Sequence, residues 1–348
     1  MMSKSSATTG AMLVIETVSA AAWIEAVEAT SIKTVFDASS PHGGEFGAVP
    51  DTAPTARLVF VHGFSDHCNA YYSLFPTLAS SPYHIEVNAF DQRGWGQSVH
   101  SKNERGLTGP TSKVLDDINE FVKSVSDGRL PLFVMGHSMG GGEVLHYILT
   151  KDPAIAGTRP QIISVLLEAP YVALDPSSAP NPIVVAVGKL AAKILPNHQM
   201  VQSLDATYMS HSEQVRNDWV EDRLCHDTGT LAGLDGMLQR ASDLVLLSQG
   251  KPVGHITNTL PQGTSLWAGH GDSDKVVSLD ATQRLYNVIQ CNGGGKQLKV
   301  YPGAFHKLHA EPDGVGDEFA KDVGTWILSK VMASEGSEPP AKAGSPKL

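Results

Sequence analysis

Cysteine is scarce in this sequence: Cys68, Cys225 and Cys291 are the three in 348 residues. An odd, unpatterned set excludes a disulfide framework and fits a reducing compartment, and none of the three has metal-ligand spacing. Basic residues are outnumbered, 26 Lys and Arg against 36 Asp and Glu, for a formal net charge of -10. Such a chain repels phosphate backbones, so nucleic acid is not an expected partner. Long apolar runs are missing too. The stretch 11–27 is interrupted by Glu16 and Glu25 and preceded by Lys4 alone. It is a poor signal peptide and too acidic for a membrane span. Pro346 stands where a peroxisomal tripeptide has a small residue, so Pro346-Lys347-Leu348 is not read as that address. No internal repeat is visible.

What the sequence does have is alternation. Apolar or β-branched runs at 57–61, 85–90, 132–135, 162–167, 266–268 and 298–301 alternate with helical patterns at 70–79, 114–125, 143–149, 279–289 and 319–332. This predicts an α/β fold, a mostly parallel central sheet flanked by helices. The alternation stops between 171 and 262. There 175–182 is a Pro/Ser loop and 231–247 reads as a helix. The run 183–195 is apolar around most of a helix circumference, with only Lys189 and Lys193 charged, more than one buried stripe needs. Residues 171–262 are therefore expected to be a helical cap inserted between late strands, dividing the core into 57–170 and 263–332. Residues 1–56 form a poorly defined N-terminal segment, with a helix near 20–29, a strand near 31–36 and a Gly/Pro-rich loop at 39–54. The Gly/Ser/Pro/Lys-rich 333–348 is expected to be a disordered tail.

The run 132–135 breaks into Gly136-His137-Ser138-Met139-Gly140 and a helical pattern follows at once. In a strand–turn–helix context Gly-x-Ser-x-Gly makes the serine a nucleophile rather than a surface hydroxyl. A neutral hydroxyl attacks esters slowly, so the chain must also supply a base, a carboxylate to orient it and an oxyanion hole. The run 266–268 leads into Gly269-His270-Gly271-Asp272-Ser273-Asp274, and 298–301 leads into Pro302-Gly303-Ala304-Phe305-His306-Lys307-Leu308-His309. The acid is Asp272 or Asp274 and the base His306 or His309. Asp272, nearer the strand, suits a turn-shaping role, which favours Asp274. Gly303-Ala304 gives His306 the adaptable loop a base needs. His84, His211 and His255 lie in no such context and are read as solvated or packed. The amides expected to hold the oxyanion are those of Met139, next to the nucleophile, and of Phe64 in His62-Gly63-Phe64. Asp91 to Ser98 reads as a structural loop with no direct catalytic role.

These motifs, His62 to His67, Asp91 to Ser98, Gly136 to Gly141, Gly271 to Val277 and Gly303 to His306, occur in the same order in monoacylglycerol lipases. Over about 57–332 the chain resembles the fungal members of that α/β-hydrolase family. The resemblance implies Ser138, Asp274 and His306 as triad and Phe64 and Met139 as oxyanion donors. It also implies a cap whose apolar face meets lipid, and cleavage of a small-molecule lipid ester through an acyl-enzyme, releasing fatty acid and glycerol. No cofactor and no metal are called for. The expected location is the cytoplasm, peripheral to membranes or lipid droplets through transient contact of the cap. Relatives begin with an antiparallel hairpin, which residues 1–56 do not clearly supply. The alternative activity is that of a soluble esterase, thioesterase, lactonase or aminopeptidase of the same fold. A peptidase would need a carboxylate near the pocket, for which Glu168 and Glu213 are conceivable. A non-catalytic binding protein is opposed by the intact Ser, Asp and His set.

Overall fold

A computed structural model describes residues 33–37, 45–50, 52–71 and 73–335. The helix expected near 20–29, and all but the start of the expected tail, lie outside the described residues. The strands are β1 (Lys33–Asp37), β2 (Glu45–Val49), β3 (Ala56–Val61), β4 (Ile85–Phe90), β5 (Leu132–His137), β6 (Ser164–Glu168), β7 (Gln199–Val201), β8 (Thr228–Thr230), β9 (Ser265–Gly271) and β10 (Lys296–Tyr301). The principal helices are α1 (Leu74–Ala79), α2 (Thr111–Val125), α3 (Met139–Leu149), α4 (Pro182–Ile194), α5 (Glu213–Glu221), α6 (Leu231–Ser248), α7 (Leu279–Val288) and α8 (Val315–Glu335).

Eight strands form one sheet in the order β1-β2-β4-β3-β5-β6-β9-β10. From β4 to β10 all neighbours are parallel, while β1–β2 and β2–β4 are antiparallel. The mostly parallel α/β sheet expected from the alternation is the one observed. Parallel sheets bury both faces, and the two faces here have separate cores. One gathers Phe60, Phe75, Phe133, Trp267, Phe319 and Val323. The other gathers Val59, Val61, Val134, Ile118, Leu145 and Leu285. The central strand β5 is buried at every position, consistent with its unbroken apolar run.

The edge hairpin is present: β1 and β2 pair from Lys33↔Val49 to Asp37↔Glu45. This corrects the reading of 39–54 as loop. Glu45–Val49 holds a mid-strand glycine and sits between Gly44 and Pro50, so composition masked a strand that is set by pairing with β4. Between β6 and β9 the chain leaves the sheet. That excursion holds α4, α5 and α6, and also a two-stranded antiparallel ribbon of β7 and β8. The ribbon and α5 are additions to the sequence reading, which saw only helical patterns near α4 and α6. Three residues per strand are too few for a period-2 signal. In α5, Trp219 is the buried residue amid polar neighbours, so no apolar stripe marks the helix.

The exposure of α4 is unusual. Ile183, Val184, Val187, Leu190 and Ile194 are each at least 60% exposed, and Leu195 is 56% exposed. Ala192 is buried and α4 packs on α6. Most of an apolar helix therefore faces outward, where soluble surfaces carry only scattered apolar residues. Among the described residues no helix is long and apolar enough to cross a membrane.

Candidate active site

The site is built at the C-terminal ends of the parallel strands, where open α/β sheets collect ligands. β5 ends at His137, and Ser138 turns the chain into α3 with φ 53° and ψ -118°. Positive φ strains a non-glycine residue and persists only where the surroundings enforce it. Enforcement comes from crowding. A Cβ at Gly136 would lie 2.4 Å from the Gly140 carbonyl oxygen, and one at Gly140 would lie 2.2 Å from the Val61 carbonyl oxygen. Only glycine at both positions lets α3 rise this close to β5 and β3.

The structure brings Ser138, His306 and Asp274 together. Ser138 Oγ lies 2.9 Å from His306 Nε2, and His306 Nδ1 lies 2.8 Å from Asp274 Oδ2. The other carboxylate oxygen accepts the Val276 and Val277 amides at 2.7 and 3.0 Å. All three side chains are buried. Burial alone would raise the pKa of Asp274. The His306 and His270 imidazoles beside it outweigh burial and hold the carboxyl well below its ordinary range. An ionised Asp274 accepts the Nδ1 proton, which leaves the Nε2 lone pair facing Ser138. His270 contributes to this though sequence reasoning gave it no role. It is buried, with Nε2 3.3 Å from Asp274 Oδ2.

The rivals are occupied elsewhere. Asp272 Oδ1 accepts the Gly303 amide at 2.7 Å and the Ser273 hydroxyl at 3.2 Å, so it ties the β9 loop to the β10 loop. His309 Nδ1 lies 2.7 Å from Glu168 Oε1. Glu168, conceivable as an ammonium-binding group, is fully buried in that contact. Glu213 is exposed at the start of α5. His211 stacks on Phe305 and pairs with Glu311 at 3.1 Å, and His255 pairs with Asp243. Asp91 behaves as the structural residue expected, accepting the Cys68 and Gln97 amides.

The two amides expected to hold an oxyanion flank Ser138. Met139 opens α3, and Phe64 follows Gly63, where a Cβ would lie 3.2 Å from Ser138 Cβ. Neither amide donates to another group among the described residues. A buried network fixes the Phe64 loop from behind. Tyr71 Oη accepts the Gly63 amide at 3.1 Å and donates to Asp66 Oδ2 at 3.2 Å, and Asp66 Oδ2 also accepts Lys307 Nζ at 2.9 Å. Burial, reinforced by the Lys307 ammonium, pushes His137 well down, so the ring beside this network stays neutral.

The cap grips the same loop. Trp219 Nε1 on α5 donates to the Ser65 carbonyl at 2.8 Å, where Ser65 has a strained φ of 55°. His67 Nε2 meets Asp222 Oδ2 at 2.9 Å. Burial would lower the pKa of His67, but Asp222 and Cys225 outweigh it and raise it well above the ordinary value. Backbone from 208–209 accepts the amides of His306 and Lys307. Sequence reasoning missed Tyr71, Asp66, Lys307, Trp219 and Asp222; Lys307, Trp219 and Asp222 lie far along the chain from the residues they hold. Removing one neutral hydrogen bond costs about 1 kcal/mol. Trp219→Phe is therefore expected to lower kcat on a soluble ester roughly fivefold with KM little changed. Steady-state kinetics beside circular dichroism check this.

A surface cavity of about 510 Å³ opens elsewhere, around Arg93, Lys113 and Asp117. Its cations are already committed to Asp117, at 2.8 Å from Arg93 and 3.4 Å from Lys113.

Comparison with known proteins places the chain among relatives of known family. A family model described as serine aminopeptidase, S33 matches residues 52–313. A putative monoglyceride lipase of Schizosaccharomyces pombe is 33% identical over 287 residues, spanning 81% of this chain and 70% of that protein. A monoacylglycerol lipase of Mycolicibacterium smegmatis is 28% identical over 288 residues, spanning 80% and 90%. A soluble variant of the Saccharomyces cerevisiae monoglyceride lipase, crystallised with a substrate analogue, superposes with a TM-score of 0.71 over 86% of this chain and 95% of that one. At 21% identity that likeness speaks for the fold.

Proposed function

Because the chain belongs to the serine aminopeptidase S33 family, we propose that it is a serine hydrolase of carboxylic esters, acting as a monoacylglycerol lipase. The observation that carries the proposal is the hydrogen-bonded chain from Ser138 through His306 to Asp274 beside a cap with an outward apolar helix. Ser138 Oγ attacks the ester carbonyl as its proton passes to His306 Nε2. Asp274 stabilises the imidazolium that results. The carbonyl oxygen becomes an oxyanion within reach of the Phe64 and Met139 amides. Collapse breaks the C–O bond, and His306 returns the proton to the departing glycerol. Water, deprotonated by His306, then attacks the acyl-enzyme, releasing fatty acid and freeing Ser138.

An aminopeptidase reading would need a carboxylate to hold the substrate ammonium. Glu168 is engaged by His309 and Glu213 is exposed on α5, which leaves the ester reading favoured. A hydrolysis panel tests the proposal: long-chain monoacylglycerol, di- and triacylglycerol, a short aryl ester and an aminoacyl amide. Preferential turnover of monoacylglycerol is the expected result. Turnover confined to the short ester or the amide would sink it.

The apolar face of α4 supports contact with a lipid surface, from which a water-poor substrate would be drawn. Each fully buried aliphatic side chain contributes about 1.5–3 kcal/mol, so α4 gains by meeting an acyl phase. Ile183→Ser with Val187→Ser is expected to weaken vesicle co-sedimentation by at least about tenfold, since each loss is a large part of that transfer energy. Hydrolysis of a soluble ester should be unchanged. Equal sedimentation of variant and wild type would contradict lipid contact through α4.

A further inference from the structure

The cap rejoins the core through a cluster that the ester chemistry does not use. His146 lies in the last turns of α3, Asp243 on α6, and His255 in the segment that returns from α6 to β9. Each offers one ligand atom, and the three atoms lie within 4.8 Å of one another. We propose that His146, Asp243 and His255 form a binding site for a divalent transition-metal ion of the zinc type, which braces the cap's last helix against the core.

The tautomer of His146 is set by geometry. Its Nε2 lies 2.9 Å from the Arg240 carbonyl oxygen, which can only accept, so Nε2 carries the proton. Nδ1 is therefore a bare lone pair. It is buried and has no partner among the described residues. A buried polar atom without a partner is rare and asks for an explanation. A histidine that donates one ring nitrogen to a backbone carbonyl and leaves the other without a protein partner has the outer-shell arrangement of a metal ligand. Arg240 supplies that carbonyl while its guanidinium is neutralised by Glu143 at 2.8 Å, so its charge does not stand bare beside the site.

The other two donors are placed as a pair. Asp243 Oδ2 lies 2.9 Å from His255 Nε2, and Asp243 Oδ1 accepts Gln239 Nε2 at 3.0 Å. The rings of His146 and His255 are 6.2 Å apart and inclined by 28°. Binding would displace the proton shared by His255 and Asp243 and give the ion both atoms. Asp243 is buried and the His255 side chain is 59% exposed, which provides an entry path. The backbone is already held. Lys151 N donates to the His255 carbonyl at 2.9 Å, Thr257 N donates to the Leu149 carbonyl at 2.9 Å, and Thr150 bridges Ile256. Two imidazoles and one carboxylate suit zinc and its neighbours, with water completing the shell. Calcium and magnesium require oxygen-rich sites.

This is not the nucleophile's site. His146 follows Ser138 by eight residues of helix, roughly 12 Å along the axis. It also differs from His67, Asp222 and Cys225, whose donor atoms cluster as closely. In that group the histidine has no unpartnered nitrogen: Nε2 lies 2.9 Å from Asp222 Oδ2 and Nδ1 accepts the Asn69 amide at 3.3 Å, whereas His146 Nδ1 has no partner among the described residues.

The test is zinc binding to the chelator-stripped full-length chain by isothermal titration calorimetry, with thermal melting in parallel. One equivalent of Zn²⁺ is expected, with a higher melting temperature and no such response to Ca²⁺. His255→Ala and Asp243→Asn should each weaken zinc by more than about tenfold, the least that loss of an outer-shell partner produces. Because His255 is exposed, its variant keeps the fold, which circular dichroism verifies. Cys225→Ser should bind zinc as wild type does. Absence of zinc uptake by wild type, undiminished uptake in His255→Ala, or loss of uptake in Cys225→Ser would each overturn the proposal.

Discussion

Ser138→Ala is expected to lower kcat on a carboxylic ester by about 10⁶-fold while leaving the fold in place, since nucleophile, base and acid act as a unit. The hydroxyl is the only atom removed, and its partner is the His306 Nε2 at 2.9 Å. Alanine is no worse than serine at the strained φ of 53°, so stability should change little. Residual turnover would come from the two backbone amides and from substrate positioning. The measurement is single-turnover hydrolysis beside a urea melt. Activity within tenfold of wild type would remove Ser138 from the reaction.

The second large effect is expected at Asp274. Asp274→Asn should cost about 10⁴-fold in kcat with the geometry preserved. An amide can present its NH₂ to His306 Nδ1, which moves the ring proton to Nε2. His306 then meets Ser138 with a donor instead of a lone pair, and the base is lost. Asp272→Asn breaks only the link to Gly303 and Ser273, so its effect on kcat should be far smaller. The reverse ranking would assign the acid to Asp272. Stability carries a second signature. The folded pKa of Asp274 lies below the unfolded value of about 3.9. Its contribution is therefore fully present above the unfolded value and lost as pH falls through the folded one. Asp274→Asn should flatten the acid side of the stability curve below about pH 4, which urea melts across the acid range check.

The parts of this molecule that can be read from sequence are those with local signatures. β4 is legible at both ends because in Ile85–Phe90 apolar residues alternate with Glu86 and Asn88 and a polar turn follows. The elbow at Ser138 is legible because a strand, two glycines and a helix must coincide there. Asp274 and His306 stand out because each follows a strand end by a few residues, the place where such sheets put chemistry. What cannot be read depends on the fold bringing distant residues together. β2 looks like loop until β4 pairs with it. Trp219 reaches Ser65 across 154 residues, Asp222 reaches His67 across 155, and Lys307 reaches Asp66 across 241. No local pattern encodes those separations. The pairing of His255 with Asp243 is likewise set by the fold, which returns the chain from α6 beside that helix.

The cap links the two themes of chemistry and substrate. Its inner side holds the Phe64 loop through Trp219 and Asp222 and the His306 loop through the backbone at 208–209. Its outer side presents α4.

The central claim is that Ser138 takes the acyl group of a long-chain monoacylglycerol. Rapid acid quench of the wild-type chain with that substrate, followed by peptide mass spectrometry, tests it most directly. The account predicts an added acyl mass on the peptide containing Ser138, and none in Ser138→Ala. An acyl mass on another residue, or turnover without any acylated peptide, would contradict it.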